Sequence, residues 1–350
     1  MTDARPLAGY FFEDFEVGRR MRHAVPRTLT EGDAAQYIAL TGARQPVHCS
    51  APLARALGHR ACPLDDFLVF NVAFGKTVND VSYNAVANLG YADVRFLAPV
   101  YAGDTLACES EVIGAKANSS GKSGVVYVRS RAVNQDGAEV LTWARWVMVN
   151  ARGAAGSAAQ VPELPKAVAS HAVPAFLKPT ALDPVATGGR RLWDDYTPGE
   201  TLDHPGGMTL EEAEHMLATR LYQNTARIHF DAFLARGNQF GKRLIYGGHV
   251  ISVCRALSHD GLENAFAVTA IHGGSHANPT FAGDTIYCRH VVTAREEVPG
   301  RGDLGTLRLR MLGVKNLALA ELAAIAPGEK HPAVVLDLDY SVLIGRRQNP

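Results

Sequence analysis

Alternation of apolar and polar residues is concentrated in two blocks, one before the middle of the chain and one at its C-terminal end. The first block has three stretches rich in Val, Tyr, Thr and Trp, separated by Asn/Gly turns: 105–112, 124–132 and 139–149. The second block repeats the pattern at 285–293, 305–312 and 333–344. Each block is therefore predicted to form an antiparallel meander.

Helical spacing of apolar residues precedes each block. Residues 34–40 and 213–221 are amphipathic, and Thr30 and Thr209 stand before them, where a side-chain oxygen can cap a helix. A longer central helix is expected between each of these helices and its sheet. The pattern thus predicts an α+β class in which each half is a central helix wrapped by a curled antiparallel sheet.

The two halves are internal repeats. The acidic-aromatic segment at 12–18 (FEDFEVG) recurs at 193–199 (WDDYTPG), and 99–106 (PVYAGDTL) recurs at 279–286 (PTFAGDTI), so the offset is about 180 residues. The segment between the copies is rich in Ala and Pro, as a linker would be. We therefore predict an N-terminal domain at 1–152, a linker at 153–190 and a C-terminal domain at 191–350.

Charge and composition exclude several classes of partner. The 350 residues include 35 Lys+Arg and 35 Asp+Glu, so no net field favours nucleic acid or an anionic membrane. No apolar run has the length of a signal peptide or a membrane span, and a cytoplasmic protein is expected. The 5 cysteines form no C-x-x-C pair. They are expected to be reduced, without a disulfide framework or a zinc ribbon.

The second half contains the clearest candidate for chemistry. His229 follows Asn224 by five residues, and Tyr246-Gly247-Gly248 comes downstream. Glycine lets a ligand oxygen approach a backbone N–H, and a histidine with such an amide suffices for acid–base chemistry beside a carbonyl. The alternative interpretation is a capped or core histidine with an ordinary Gly-Gly turn.

Several motifs carry a family resemblance. The segment 37–48 (YIALTGARQPVH) resembles the hydratase signature of the MaoC-like hotdog proteins. More narrowly, the segments that resemble the mesaconyl-CoA hydratases, also called β-methylmalyl-CoA dehydratases, are 74–78, 192–195 and 220–229. The resemblance implies a tandem (double) hotdog, a coenzyme A thioester substrate and reversible addition of water across a conjugated double bond.

Both copies depart from the hydratase pattern, which has an Asp five residues before the His. Ala43 occupies this position before His48, and Asn224 occupies it before His229. An amide cannot take a proton, so we assign the proton transfers to His229 and the positioning of water to Asn224. The family's carbonyl-polarising amide falls on Gly247. The second half is thus predicted to be active, and His48 to be structural.

Substrate contacts are predicted around these catalytic residues. Arg227 is the candidate for a free substrate carboxylate, although a surface arginine is an equal alternative. Tyr246 and Gly248 adjoin the catalytic amide. His276 and Asn278 place polar groups where the first copy is apolar, as an active-site wall or as a hydrogen-bonded interface pair. No metal is predicted, because Gly273-Gly274 prevents a helical His272/His276 pair.

These inferences favour an enzyme that hydrates an enoyl-CoA with a second carboxylate, mesaconyl-CoA to β-methylmalyl-CoA. The alternatives are a general (R)-specific enoyl-CoA hydratase, an acyl-CoA thioesterase of the same fold, or a non-catalytic acyl-CoA-binding hotdog protein. No cofactor is expected beyond the coenzyme A of the substrate, and a homo-oligomer is expected.

Overall fold

The computed structural model describes residues 6–153 and 159–347, which form one continuous antiparallel sheet with helices packed on it. Residues 154–158 of the predicted linker lie outside the described part. The strands are β1 (Arg20–Thr28), β2 (Ala85–Phe96), β3 (Thr105–Ala117), β4 (Ser123–Val133), β5 (Glu139–Asn150), β6 (Ala159–Gln160), β7 (Thr201–Thr209), β8 (Ala265–Ser275), β9 (Thr285–Val298), β10 (Arg301–Lys315) and β11 (Val334–Gly345).

Five of the nine described α-helices have four to six residues, and each half has two longer helices, the later of which precedes most of the strands of its half. They are α1 (Glu31–Thr41), α2 (Pro46–Cys49), α3 (Ala51–Ala56), α4 (Asp66–Thr77), α5 (Pro184–Thr187), α6 (Glu212–Leu221), α7 (Arg227–Phe230), α8 (Ala232–Ala235) and α9 (Gly247–Leu257). A π-helical turn, Val78–Ser82, follows α4. None of the described helices is long and apolar enough to cross a membrane.

The sheet joins the two halves along one edge of each. Its strand order is β1-β3-β4-β5-β2-β8-β11-β10-β9-β7, and β2 and β8 pair antiparallel at the centre. Tyr91 stands opposite Gly274, and Arg95 stands opposite Ala270. Residues of β2 and β8 therefore lie beside the other half, and either half can contribute to a site in its neighbour.

The central helices α4 and α9 are nearly all buried, as expected for helices enclosed by a curled sheet. They also contact each other. Asn71 on α4 donates its Nδ2 hydrogens to the Gly248 carbonyl at 3.1 Å and to Ser252 Oγ at 2.9 Å. The first turn of α9 is thus held by a side chain from the other half.

The predicted meanders are confirmed, and most of their strands run a few residues longer than the sequence pattern indicated. Thr30 caps α1 as predicted, because its side chain accepts the Asp33 N–H. The predicted Thr209 cap is wrong. Helix α6 begins at Glu212 with no side-chain cap, and Thr209 ends β7, where its hydroxyl bonds that of Thr285 at 2.7 Å.

The repeated Gly-Asp-Thr segment makes the same turn in both halves. Gly103 and Gly283 adopt φ values of +98° and +92°, which favour glycine. The carboxylates of Asp104 and Asp284 each accept a backbone N–H three residues earlier, at 2.8 Å. These turns start β3 and β9 at equivalent places in the two halves of the sheet.

Candidate active site

His229 is held by a backbone hydrogen bond that sets its tautomer. Its Nδ1 lies 3.0 Å from the Leu244 carbonyl, and a carbonyl only accepts, so Nδ1 carries the hydrogen. Burial lowers the pKa of His229 to about 4, although the Leu244 bond opposes that shift. Near neutral pH the ring is therefore uncharged, and Nε2 has a free lone pair to accept a proton.

The N-terminus of α9 presents the predicted amides. Gly247 and Gly248 are its first two residues, and the preceding Tyr246 makes no side-chain cap. The first N–H groups of a helix lack intrahelical acceptors and lie at the positive end of its dipole. A Cβ on Gly247 would lie 2.2 Å from His276 Cε1, so only glycine allows His276 to approach so closely.

His276 connects this site to the first half of the chain. Its Nε2 lies 2.8 Å from the Tyr91 hydroxyl, which belongs to β2. Burial, and to a lesser extent the charge of His229, lower the pKa of His276 to about 4. A second neutral imidazole therefore stands near His229, and the other half of the molecule fixes its orientation.

Tyr246 packs between the catalytic groups. Its ring centroid lies 5.4 Å from that of His229, and its backbone N–H donates to His215 Nε2 at 2.8 Å. Burial lowers the pKa of His215 to about 2, so this imidazole remains an acceptor. Neither His215 nor Tyr91 could be recognised from the sequence, because each looks like an ordinary core position of an amphipathic helix or a strand.

The other predicted site residues make contacts of their own within the protein. Asn224 is only 4% exposed; its Oδ1 accepts the Ala226 N–H at 3.0 Å, and its side chain also interacts with the Tyr246 hydroxyl. The Arg227 guanidinium lies 4.8 Å from the centre of the Tyr83 ring. Asn278 donates Nδ2 to the carbonyls of His331 and Val334. Its amide hydrogens hold the loop before β11, so only Oδ1 is left for a ligand.

A groove of about 670 Å³ lies against Asn224, between the two halves. This volume suits a small-molecule ligand. Its basic side chains come from both halves: Arg27, Lys76 and Arg220. Lys76 is nearly buried and donates to Gln223 Oε1 at 2.6 Å, so an amide, not a carboxylate, holds its ammonium group.

The first half has an equivalent histidine in different surroundings. His48 Nδ1 donates to the Pro63 carbonyl at 3.0 Å. The first residue of α4 is Asp66, whereas the first residue of α9 is Gly247. The Asp66 carboxylate accepts the Val268 N–H at 2.7 Å, and burial raises its pKa to about 6. The cavity beside His48 measures only about 50 Å³. It has no room for a thioester.

A buried cluster in the second half has metal-ligand side chains. Single ligand atoms of His204, Cys288 and His290 lie within 4.8 Å of one another. A hydrogen-bond chain already engages every ring nitrogen: His204 Nδ1 donates to the Asp260 carbonyl, the two rings bond at 2.8 Å, and Tyr340 Oη lies 2.9 Å from His290 Nε2. The cluster is a hydrogen-bonded part of the core.

Comparisons with known proteins point to one family over most of the chain. The sequence model of the family described as mesaconyl-CoA hydratase matches residues 2–316. The β-methylmalyl-CoA dehydratase of Chloroflexus aurantiacus is 49% identical over 349 residues, covering 98% of this chain and 99% of that protein. The mesaconyl-CoA hydratase of Cereibacter sphaeroides is 49% identical over 343 residues, covering 97% and 99%.

Solved structures show the same architecture. A MaoC domain dehydratase from Chloroflexus aurantiacus superposes with a TM-score of 0.94 at 48% identity, covering 99% of this chain and 100% of that one. A Mycobacterium tuberculosis protein with a double hotdog fold gives 0.79 at 25% identity, covering 97% and 100%. The predicted double hotdog is confirmed.

Proposed function

The chain belongs to the mesaconyl-CoA hydratase family, and from this membership we propose that it catalyses the reversible addition of water to mesaconyl-CoA, giving β-methylmalyl-CoA. The family resemblance predicted from the motifs is confirmed, and the enzyme is a hydro-lyase of the hydratase type. The observation that carries the proposal is the neutral His229, packed against Tyr246 immediately before the unpaired first amides of α9.

Hydration then proceeds by two proton transfers through His229. Nε2 takes a proton from water while the water oxygen bonds to the β carbon, and the double-bond electrons move to the thioester oxygen. The N–H of Gly247, with Gly248 beside it, donates to this enolate oxygen. The imidazolium then returns its proton to the α carbon. One water is added in total, and the reverse sequence removes it.

Asn224 and the groove supply positioning. Asn224 lines the groove, so its Nδ2 can donate to the attacking water, which would leave the lone pair used for attack pointing to the substrate. The cations Arg27, Lys76 and Arg220 suit the phosphates of coenzyme A, which enters as part of the substrate. His276 and Tyr246 form the wall around the reacting carbons.

Incubation of the purified protein with mesaconyl-CoA tests the proposal. We expect loss of the enoyl-thioester absorbance and appearance of β-methylmalyl-CoA, with slower reaction of crotonyl-CoA. Release of free coenzyme A, measured in parallel, would instead indicate a thioesterase. Binding of the thioester without either change would contradict an enzymatic role.

A further inference from the structure

Arg145 on β5 is fully buried and largely unsatisfied. Its Nη2 donates to Thr77 Oγ1 at 2.9 Å, whereas Nε and Nη1 have no hydrogen-bond partner among the described residues. Nε carries one hydrogen and Nη1 two, so three donors are left over. Burying a guanidinium without an anion costs several kcal/mol, so a ligand that accepts from these donors would stabilise the arrangement.

The groups around this guanidinium connect it to the catalytic site. Its Cζ lies 4.2 Å from the Phe74 ring centroid. The Phe74 ring contacts Tyr91 at 5.7 Å and Tyr246 at 6.2 Å between centroids. Tyr91 holds His276, and Tyr246 packs on His229. The Phe74 ring therefore connects Arg145 to the two tyrosines that contact the histidines. The groups that interact with Arg145 are all uncharged: Thr77, Phe74, Tyr91 and Tyr246.

The Tyr246 hydroxyl is a second unsatisfied group in the same place. The side chain is buried, and its hydroxyl makes no hydrogen bond of full geometry within the described residues, although the Asn224 side chain lies close enough to lower its pKa. Burial is the main cause that keeps its pKa well above the ordinary range, so it remains a phenol that can donate. An anion between Tyr246 and Arg145 would satisfy both side chains.

The second half shows how a buried arginine is satisfied when no ligand is needed. Arg255 on α9 donates Nη1 to Ser258 Oγ at 3.2 Å and Nη2 to the Ala265 carbonyl at 2.6 Å. The strand position that corresponds to Arg145 is Tyr340, since Tyr340 faces Ile271 as Arg145 faces Tyr91. The Tyr340 hydroxyl bonds His290. Of these two buried arginines, only Arg145 keeps N–H groups that lack an acceptor among the described residues.

The groove approaches this position along α4. Thr77, which binds Arg145, lies in the last turn of α4, and its neighbours Gly75 and Lys76 line the groove. Asn224 also lines the groove, from the second half. For its free end to bind the guanidinium, an acyl group that enters along this groove would pass between α4 and Asn224 toward Arg145.

We propose that Arg145, assisted by the Tyr246 hydroxyl, binds the free carboxylate at the far end of the acyl group. This inference rests on the proposed function and names its specificity determinant. A carboxylate on a buried guanidinium forms short, charge-assisted hydrogen bonds. A thioester that ends in a methyl group leaves Arg145 unsatisfied, so the site should discriminate by polarity and not by size.

The experiment compares Arg145→Met with wild type on two matched pairs of thioesters. Mesaconyl-CoA and tigloyl-CoA differ by a carboxylate in place of a methyl group and report kcat/KM. Succinyl-CoA and butyryl-CoA differ in the same way, cannot be hydrated and report Kd. Arg131→Met is the control, because Arg131 pairs with Glu109 and Glu139 on the half-exposed outer face of the sheet.

We expect Arg145→Met to lower kcat/KM for mesaconyl-CoA by about 100-fold and to change that for tigloyl-CoA less than about threefold. The preference for succinyl-CoA over butyryl-CoA should disappear, and the melting temperature should not fall, since an unpaired buried charge is removed. Arg145→Gln provides a second variant that keeps hydrogen-bond donors without the charge and should lose the same preference.

Equal losses on both members of each pair, or a lower melting temperature with unchanged preference, would assign Arg145 a structural role and overturn the proposal. If wild type binds succinyl-CoA selectively through Arg145 but hydrates no mesaconyl-CoA, the carboxylate site stands and the proposed reaction fails. If wild type hydrates mesaconyl-CoA and Arg145→Met does so equally well, the reaction stands and the carboxylate site fails.

Discussion

His48 and His229 occupy the same backbone frame in the two halves. Each donates Nδ1–H at 3.0 Å to a carbonyl fifteen residues later, Pro63 in one case and Leu244 in the other. Each lies in a four-residue helix shortly before the central helix of its half. The orientation of the imidazole and its tautomer are therefore not what distinguishes a catalytic half from a structural one.

The difference lies in what faces the imidazole. The second half offers the amides of Gly247 and Gly248, with a groove against the nearby Asn224, whereas the first begins its central helix with Asp66, whose carboxylate binds the Val268 N–H. Residues 172–177 of the linker also border the small cavity beside His48. The Asp66 side chain at the start of α4 and the linker residues beside the cavity therefore leave no room for a substrate next to His48.

The two halves therefore contribute different groups to one site and do not form two equal sites. The second half supplies the base and the amides, and the first supplies Tyr91, which holds His276, and the α4 face of the groove. The β2–β8 pairing makes this possible, because it places first-half side chains beside second-half chemistry. The predictions below test that division, beginning with the largest effect.

Exchanging either histidine for alanine tests which half is catalytic. His229→Ala should lower kcat by about 10²–10⁴-fold, the range typical of general acid–base catalysis, because the neighbouring imidazole, His276, already uses its Nε2 in a bond to Tyr91. His48→Ala should change kcat only a few-fold. Hydration rates at saturating mesaconyl-CoA, with melting temperatures as the folding control, decide between them. A larger loss in His48→Ala would reverse the assignment of the halves.

A methyl group on the amide turn should make the second half resemble the first. In Gly247→Ala the new Cβ would lie 2.2 Å from His276 Cε1, so the imidazole or the start of α9 must shift, and the Gly247 N–H would lose its alignment with the enolate oxygen. We expect a loss of kcat of about 10²–10³-fold, as for removal of an oxyanion donor. Gly302→Ala is the matched control, since nothing lies within 4 Å of its added Cβ. Similar rates in both variants would remove Gly247 from the mechanism.

Much of this comparison could be predicted from the sequence, because repeated local motifs report local structure. The meanders, the Gly-Asp-Thr turns and the two histidine segments all follow from short-range patterns. Strands β1, β2, β7 and β8 were not predicted. Their stability comes from partners far along the chain, and β1 and β7 each contain a proline that interrupts the strand pattern.

The missed site residues share a physical reason. Tyr91, Arg145 and His215 are each buried within a regular element, where a polar residue looks like an isolated exception to an apolar face. The roles of Tyr91 and Arg145 depend on the contact between the halves, and that of His215 depends on its bond to the Tyr246 N–H within the second half. A single sequence carries no signal for these contacts. Thr209 shows the opposite error: a plausible local cap was overridden by pairing with Thr285 across strands.

Acid should destabilise the second half first. Burial lowers the pKa of many second-half histidines below the ordinary value of 6.5: His204, His215, His229, His249, His272, His276 and His290. In the first half this holds for His59. The unfolded chain binds these protons near pH 6.5, whereas in the folded protein His229, His249, His272 and His276 bind them only near pH 4. Stability should therefore fall through this window, by up to about 1.4 kcal/mol per pH unit for each histidine.

Hydrogen exchange at pH 7 and pH 5 measures this asymmetry. Amides of α6 and α9 should lose protection before those of α4, and urea unfolding should show a lower free energy of unfolding at pH 5. Earlier loss of protection in α4 would contradict the pKa shifts assigned to the second half.

Removing the hydrogen bond between the halves should have a smaller effect. Tyr91→Phe frees His276 Nε2 while keeping the ring, so the loss of about 0.5–1.5 kcal/mol for one hydrogen bond should lower kcat/KM about 3–10-fold. Tyr340→Phe removes the equivalent core bond to His290 and should lower the melting temperature without changing kcat. If both variants show only a change in melting temperature, Tyr91 is structural and the first half does not position His276.

The smallest effect is expected at Arg227, which the sequence pattern made the candidate for the substrate carboxylate. Its guanidinium is only partly buried and stacks on Tyr83, so solvent screens its charge, whereas Arg145 is fully buried with open donors. Arg227→Ala should therefore lower kcat/KM for mesaconyl-CoA by roughly threefold or less, with crotonyl-CoA affected alike. Measuring both substrates with both arginine variants decides which half holds the carboxylate. A selective loss with mesaconyl-CoA in Arg227→Ala that exceeds the loss in Arg145→Met would move the carboxylate site into the second half, and the first half would then contribute only the α4 face of the groove and the hydrogen bond from Tyr91.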